Sequence, residues 1–132
     1  AEAAIRGQPE ERLLRFLAGS TGDSAKAAHL LTDAQLWRDS MRADDVLQDV
    51  VALANERRIR RYYAYALHGT DLEGNALYIE RLGDLDAQAL LDDFEIEVLE
   101  RNHVLSNERC AAVSQKRTVV MDAAGLGSKT LA

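Results

Sequence analysis

The chain has 132 residues, of which 47% are hydrophobic and 29% charged. That length leaves room for one domain of ordinary size, about 100–150 residues, and the composition is globular rather than disordered. One proline and eight glycines exclude collagen-like and low-complexity chains, and a net charge of −6 argues against a general nucleic-acid binder.

Cys110 is the only cysteine, so neither an internal disulfide nor a four-thiolate zinc site can form within the chain. A reducing, cytoplasmic setting is expected. No apolar run approaches the ~20 residues of a membrane span, and the chain opens without a signal-peptide pattern. Charge is unevenly spread. Residues 1–61 carry ten basic and ten acidic side chains, whereas residues 62–132 carry six and twelve. The asymmetry places an expected domain boundary near residue 61.

Pro9, Glu10 and Glu11 predict a helix start, because proline tolerates the first turn and acids there favour the helix dipole. Leu13, Phe16 and Leu17 give that helix one apolar face, and Gly19 to Gly22 end it. Asp23 or Ser24 caps the next helix. Its stripe of Ala27, Leu30, Leu31, Ala34, Trp37 and Met41 has three-four spacing. A third helix is predicted from about Asp44, with Val46, Leu47, Val50, Val51 and Ala54 on one side.

The period changes after Arg61. Tyr62 to His68 is strand-like, Asp71 to Asn75 supplies turn chemistry, and Ala76 to Leu82 completes a hairpin. Asp84 or Asp86 caps a short helix through Leu90 and Leu91. Phe94 to Val98 alternates like a strand, but the run continues to Val113 without a breaker and is read as helix. Thr118 to Met121 is expected to be a short buried strand.

No catalytic constellation emerges. Gly125 to Thr130 resembles the tail of a phosphate-binding loop, but Ser128 stands where glycine must precede the lysine, and Ala123 where the first glycine belongs. His29, His68 and His103 fall on three separate elements without a nucleophile elbow. Cys110 reads as a buried structural thiol, and Glu95, Glu97 and Glu100 as a solvated face rather than a metal site. Arg57, Arg58, Arg60 and Arg61 read as a hydrated linker or as a contact for lipid phosphate or another anion. Tyr63, Tyr65 and Tyr78 suit an amphiphile pocket, since tyrosine joins a large apolar face to a polar tip, and equally suit cross-strand packing.

Three ordered blocks carry a resemblance. Leu13-Leu14-Arg15-Phe16-Leu17 followed by Ala27 through Trp37-Arg38 is one. Tyr62-Tyr63, His68 to Asn75 and Leu77 to Gly83 form the second. Thr118 to Asp122 before Gly125 is the third, with Glu108 matching an acid in the preceding helix. Together they resemble the CRAL-TRIO lipid-binding family. The resemblance implies a mixed α/β (α+β) fold, with residues 1–61 as the helical N-terminal module and residues 62–132 as the first part of the lipid-binding domain. The remaining strands and the gate helix are expected beyond Ala132. It departs from the family at Ala18 to Gly22, which replace a basic stretch, and at Ala76, which replaces the turn proline.

By that resemblance the protein binds and transfers, or senses, a hydrophobic ligand, expected to be a phospholipid. It does so as a non-enzymatic carrier without cofactor or metal, meeting membranes transiently and no nucleic acid. A scaffold or protein-interaction module without lipid transfer is the alternative. In the strand Arg117–Asp122, alternation puts Arg117, Val119 and Met121 on one side. The resemblance turns that set toward the ligand together with Tyr78. The competing reading packs the same set on helices and leaves Arg117 solvated.

Overall fold

The computed structural model describes residues 5–127. Its packing divides the chain between Arg42 and Ala43 into two compact units, taken separately below.

In the first unit, α1 (Glu10–Gly19) and α2 (Ser24–Ser40) pack on each other. Pro9 stands at the N-cap of α1 with Glu10 and Glu11 in its first turn. Asp23 caps α2, its side chain accepting from Lys26 N at 3.0 Å. The reversal between them uses positive φ at Thr21 and Gly22. Leu13, Phe16, Leu17, Ala27 and Leu31 line an apolar groove. The expected α2 stripe is buried only at Ala27 and Leu31, while Trp37 is 51% exposed.

The second unit begins with a 3-10 helix, Ala43–Gln48, that buries Ala43 and Val46. The helix predicted from Asp44 is interrupted here, and α3 spans Val50–Ile59. Asp49 causes the break. Its carboxylate caps α3 by accepting from Val51 N and Ala52 N, and also accepts from Arg101. The restart turns the helix. Ala52, Glu56 and Ile59 face inward, whereas Val50, Val51 and Ala54, expected in the core, are exposed. α3 packs on α5 (Ile96–Val113), so the packing division lies well before the charge boundary near residue 61.

β1 (Ala64–Thr70) pairs antiparallel with β2 (Ala76–Arg81), as the hairpin reading expects. Asp71 organises the turn, its carboxylate accepting from Glu73 N and Asn75 N at 2.9 Å each. α4 (Ala87–Asp93), capped by Asp86, and α5 then carry the chain across to β3 (Arg117–Asp122). β3 lies parallel to β2, with Tyr78 opposite Val119 and Ala76 opposite Arg117. The fold is therefore mixed α+β, with five α-helices and one three-stranded sheet of order β1-β2-β3 among the described residues. β3 is not the buried strand expected: it lies at the sheet edge, with Val120 and Met121 exposed.

One face of the sheet presents Tyr65, Leu67, Ala76, Tyr78 and Val119, because directly paired residues share a face. α5 packs on β1 and β2. Ile59, Tyr65, Ala76, Tyr78, Phe94 and Cys110 form the buried cluster, with Leu67 and Val119 against it. Cys110 is accordingly a buried thiol, 3% exposed.

Candidate functional site

A cavity of about 270 Å³ opens between α3, the β1-β2 hairpin and α5. Its walls are chemically mixed. α3 supplies Glu56 and, at its C-cap, Arg60; β1 supplies Tyr65 and Leu67, β2 supplies Tyr78, and α5 supplies Ser106 and Arg109. Strand alternation brings the two tyrosines together, with ring centroids 5.7 Å apart. The helical spacing of three places Ser106 and Arg109 side by side on α5.

Glu56 is only 5% exposed, so its charge needs a partner. Arg109 provides one, donating through Nη1 to Glu56 Oε1. The Tyr65 hydroxyl donates to Asn102 Oδ1 at 2.9 Å. Arg60 donates to the Tyr65 backbone carbonyl at 2.7 Å, and its guanidinium lies 5.4 Å from the centre of the Tyr65 ring. Burial raises the pKa of the Tyr65 and Tyr78 phenols, so both stay protonated at neutral pH.

Ser106 is the exception to this pairing. It is 6% exposed and lines the cavity, and its Oγ completes no well-formed hydrogen bond, although it lies close enough to the Tyr65 and Tyr78 hydroxyls to offset part of their raised pKa. A buried hydroxyl without a partner costs free energy unless something fills the site. The cavity thus offers one hydroxyl without a well-formed hydrogen bond, a guanidinium without an ion-pair partner among the described residues and a second one held by a carboxylate, against aromatic walls. That set suits a small polar or zwitterionic group. No histidine or cysteine lines it, and its one carboxylate is held by Arg109.

Of the four residues expected to face a ligand, only Tyr78 lines the cavity. Val119 packs beside it against the buried cluster. Arg117 is not simply solvated: its guanidinium lies 6.0 Å from the Tyr78 ring centre, and Nη1 donates to Asn107. Met121 is 60% exposed at the far end of β3. Glu56, Arg60, Ser106 and Arg109 went unnoticed as a set because they come from helix positions 56–60 and 106–109, which join only in the fold. The acidic run at Glu95, Glu97 and Glu100 is exposed on α5, and no cluster suited to a metal ion occurs among the described residues. The glycine-rich tail resembling a phosphate loop lies partly outside the described residues.

No family model matches the chain. Curated relatives do. The chain is 31% identical over 129 residues to the phosphatidylinositol/phosphatidylcholine transfer protein SFH7 of Arabidopsis thaliana, a match covering 89% of this chain and 23% of that protein. It is 33% identical to SFH4 of the same plant, which has the same description, over 89% of this chain and 21% of that protein. The chain belongs to the CRAL-TRIO family. A cytosolic factor of Schizosaccharomyces pombe is similar too, 26% identical over 87% of this chain and 44% of its own length. The chain spans less than half the length of each of these relatives. Lipid binding is thus a property of its family, and no helix among the described residues is long and apolar enough to cross a membrane.

Proposed function

We propose that this protein is a non-enzymatic carrier or sensor of a phospholipid, and that the cavity between α3, the hairpin and α5 receives the polar head of that lipid. The observation that carries the reading is Ser106, a buried hydroxyl near the Tyr65 and Tyr78 phenols that completes no well-formed hydrogen bond, facing a cavity flanked by Arg60 and Arg109. A phosphate would accept from the hydroxyl and from the Arg60 guanidinium. Where the head is a quaternary ammonium, Glu56 and the faces of Tyr65 and Tyr78 are suited to it. Size agrees with a head and not a whole lipid. Pockets for drug-sized ligands run from roughly 300 to 1,000 Å³, and this one falls just short.

Val119 and Met121, on the same sheet face, are proposed to border the hydrocarbon, with Arg117 anchored over Tyr78 at the strand start. The relatives named phosphatidylinositol/phosphatidylcholine transfer proteins make those two lipids the first to test. A cytosolic carrier that visits membranes follows from the same reading, as does the absence of any catalytic step. The test is lipid extraction and mass spectrometry of the purified protein. One phospholipid per chain is expected. A protein that carries none, even after incubation with phosphatidylcholine and phosphatidylinositol vesicles, overturns the carrier reading in favour of a scaffold without lipid.

A further inference from the structure

The outer face of α3 carries residues that, Arg60 apart, do not line the cavity. Arg57, Arg58, Arg60 and Arg61 place four guanidiniums within five residues, and all four are exposed. No ion pair joins any of them to an acidic side chain among the described residues, in a chain with 22 acids to 16 bases. Arg58 lies over the Phe94 ring and Arg60 holds the Tyr65 carbonyl, so their positions are fixed by packing. Asp93, which shares Tyr62 as a neighbour with Arg58 and Arg61, accepts from the Tyr62 hydroxyl, and Glu56 is turned inward onto Arg109.

The same face continues as apolar surface. Val50 and Val51, about two to three turns before the arginines, are 76% and 65% exposed. Exposed valines followed by unpaired guanidiniums on one helix side make a face suited to a lipid interface, where the apolar part enters the boundary and the cations meet headgroups. An acidic protein surface would match the guanidiniums but leave the valines unexplained.

We propose that this face of α3 docks the protein on membranes that carry anionic lipid. The inference deepens the carrier reading by naming the surface that meets the membrane. Arg60 belongs to both the face and the cavity wall, so docking brings the cavity next to the bilayer. A chain of net charge −6 is repelled by an anionic surface at long range. At physiological salt that repulsion is screened beyond about 8 Å, and the local cations decide the contact.

The experiment is vesicle co-sedimentation of the protein and of the double variant Arg57→Gln/Arg61→Gln, which spares Arg60. Vesicles are phosphatidylcholine with or without phosphatidylserine, at low and raised salt. Binding should require phosphatidylserine, weaken with salt, and fall roughly ten-fold or more in the variant, since each cation near such a surface is worth about one kcal/mol. Arg57→Lys/Arg61→Lys, which keeps the charge, should restore it. Phospholipid content by mass spectrometry should stay unchanged in both variants. Equal binding to pure phosphatidylcholine vesicles, or undiminished binding by the glutamine variant, overturns the proposal. So does loss of bound lipid with vesicle binding intact, which would assign these arginines to the cavity. An empty cavity with intact, charge-dependent vesicle binding instead refutes the carrier reading and leaves the docking face standing.

Discussion

The Glu56 carboxylate on α3 and the Arg109 guanidinium on α5 meet across 53 residues of sequence at the wall of one cavity. The pair serves two ends. It compensates a carboxylate that burial would otherwise penalise, and it joins the two helices that flank the β1-β2 hairpin. Glu56→Gln leaves Arg109 without its counter-charge. Breaking a fully buried pair costs ~3–5 kcal/mol, but the Arg109 side chain is 34% exposed, so about 2 kcal/mol is expected. Denaturant melting checks this, and a loss below about 0.5 kcal/mol would show that the pair adds nothing to the fold.

The two faces of β3 separate the ligand assignment from simple packing. Val119 shares a face with Tyr78, and Val120 lies on the other. Val119→Trp should lower phospholipid occupancy, while Val120→Trp, at a 48% exposed position, should leave it intact. The reverse pattern, read by mass spectrometry of extracted lipid, would move the hydrocarbon to the opposite face.

Asp71 fastens β3 to the hairpin turn through the Thr118 hydroxyl, which donates to it at 2.6 Å. That hydrogen bond first, and those from Asn75 next, lower the Asp71 pKa from 3.8 to about 2. A depressed carboxylate stabilises the fold fully above its unfolded value and loses that contribution as protons bind the folded state. Stability should therefore fall as pH drops from about 3.8 to about 2. In Asp71→Asn this part of the acid slope should flatten, measured as melting midpoint against pH. An unchanged slope would remove Asp71 from the acid response.

Gly83 has no room for a side chain. A Cβ there would stand 1.7 Å from the Ala124 carbonyl oxygen, and a backbone atom cannot swing aside. Gly83→Ala should cost ~1–3 kcal/mol by forcing the segment after β3 away from the segment after β2. A neutral result in thermal melting would mean that this approach is not kept in solution.

Much of the fold is legible from local chemistry. Asp71 to Asn75 marks the hairpin because aspartate and glycine satisfy the turn themselves. Asp23 and Asp86 mark helix starts because their carboxylates accept the free N–H groups. The errors come where tertiary contacts outweigh pattern. Asp49 is drawn both to the α3 N-terminus and to Arg101, which splits a helix that apolar spacing makes continuous. Trp37 fits an ideal stripe, yet it is half exposed. Trp37→Ala should therefore cost about 1 kcal/mol or less, not the several that a buried ring would. The cavity was the least legible feature. Glu56, Ser106 and Arg109 carry no motif, and only the packing of α5 on α3 and the sheet brings them together.

The central claim is that a phospholipid head sits beside Arg60 and Ser106. Phosphorus-31 NMR of the protein loaded with one phosphatidylcholine tests it most directly. The bound resonance should differ from that of vesicles, and Arg60→Gln, at an exposed position, should shift it or abolish loading without unfolding the chain. A bound lipid whose phosphorus signal is the same in the protein and in Arg60→Gln would contradict the account.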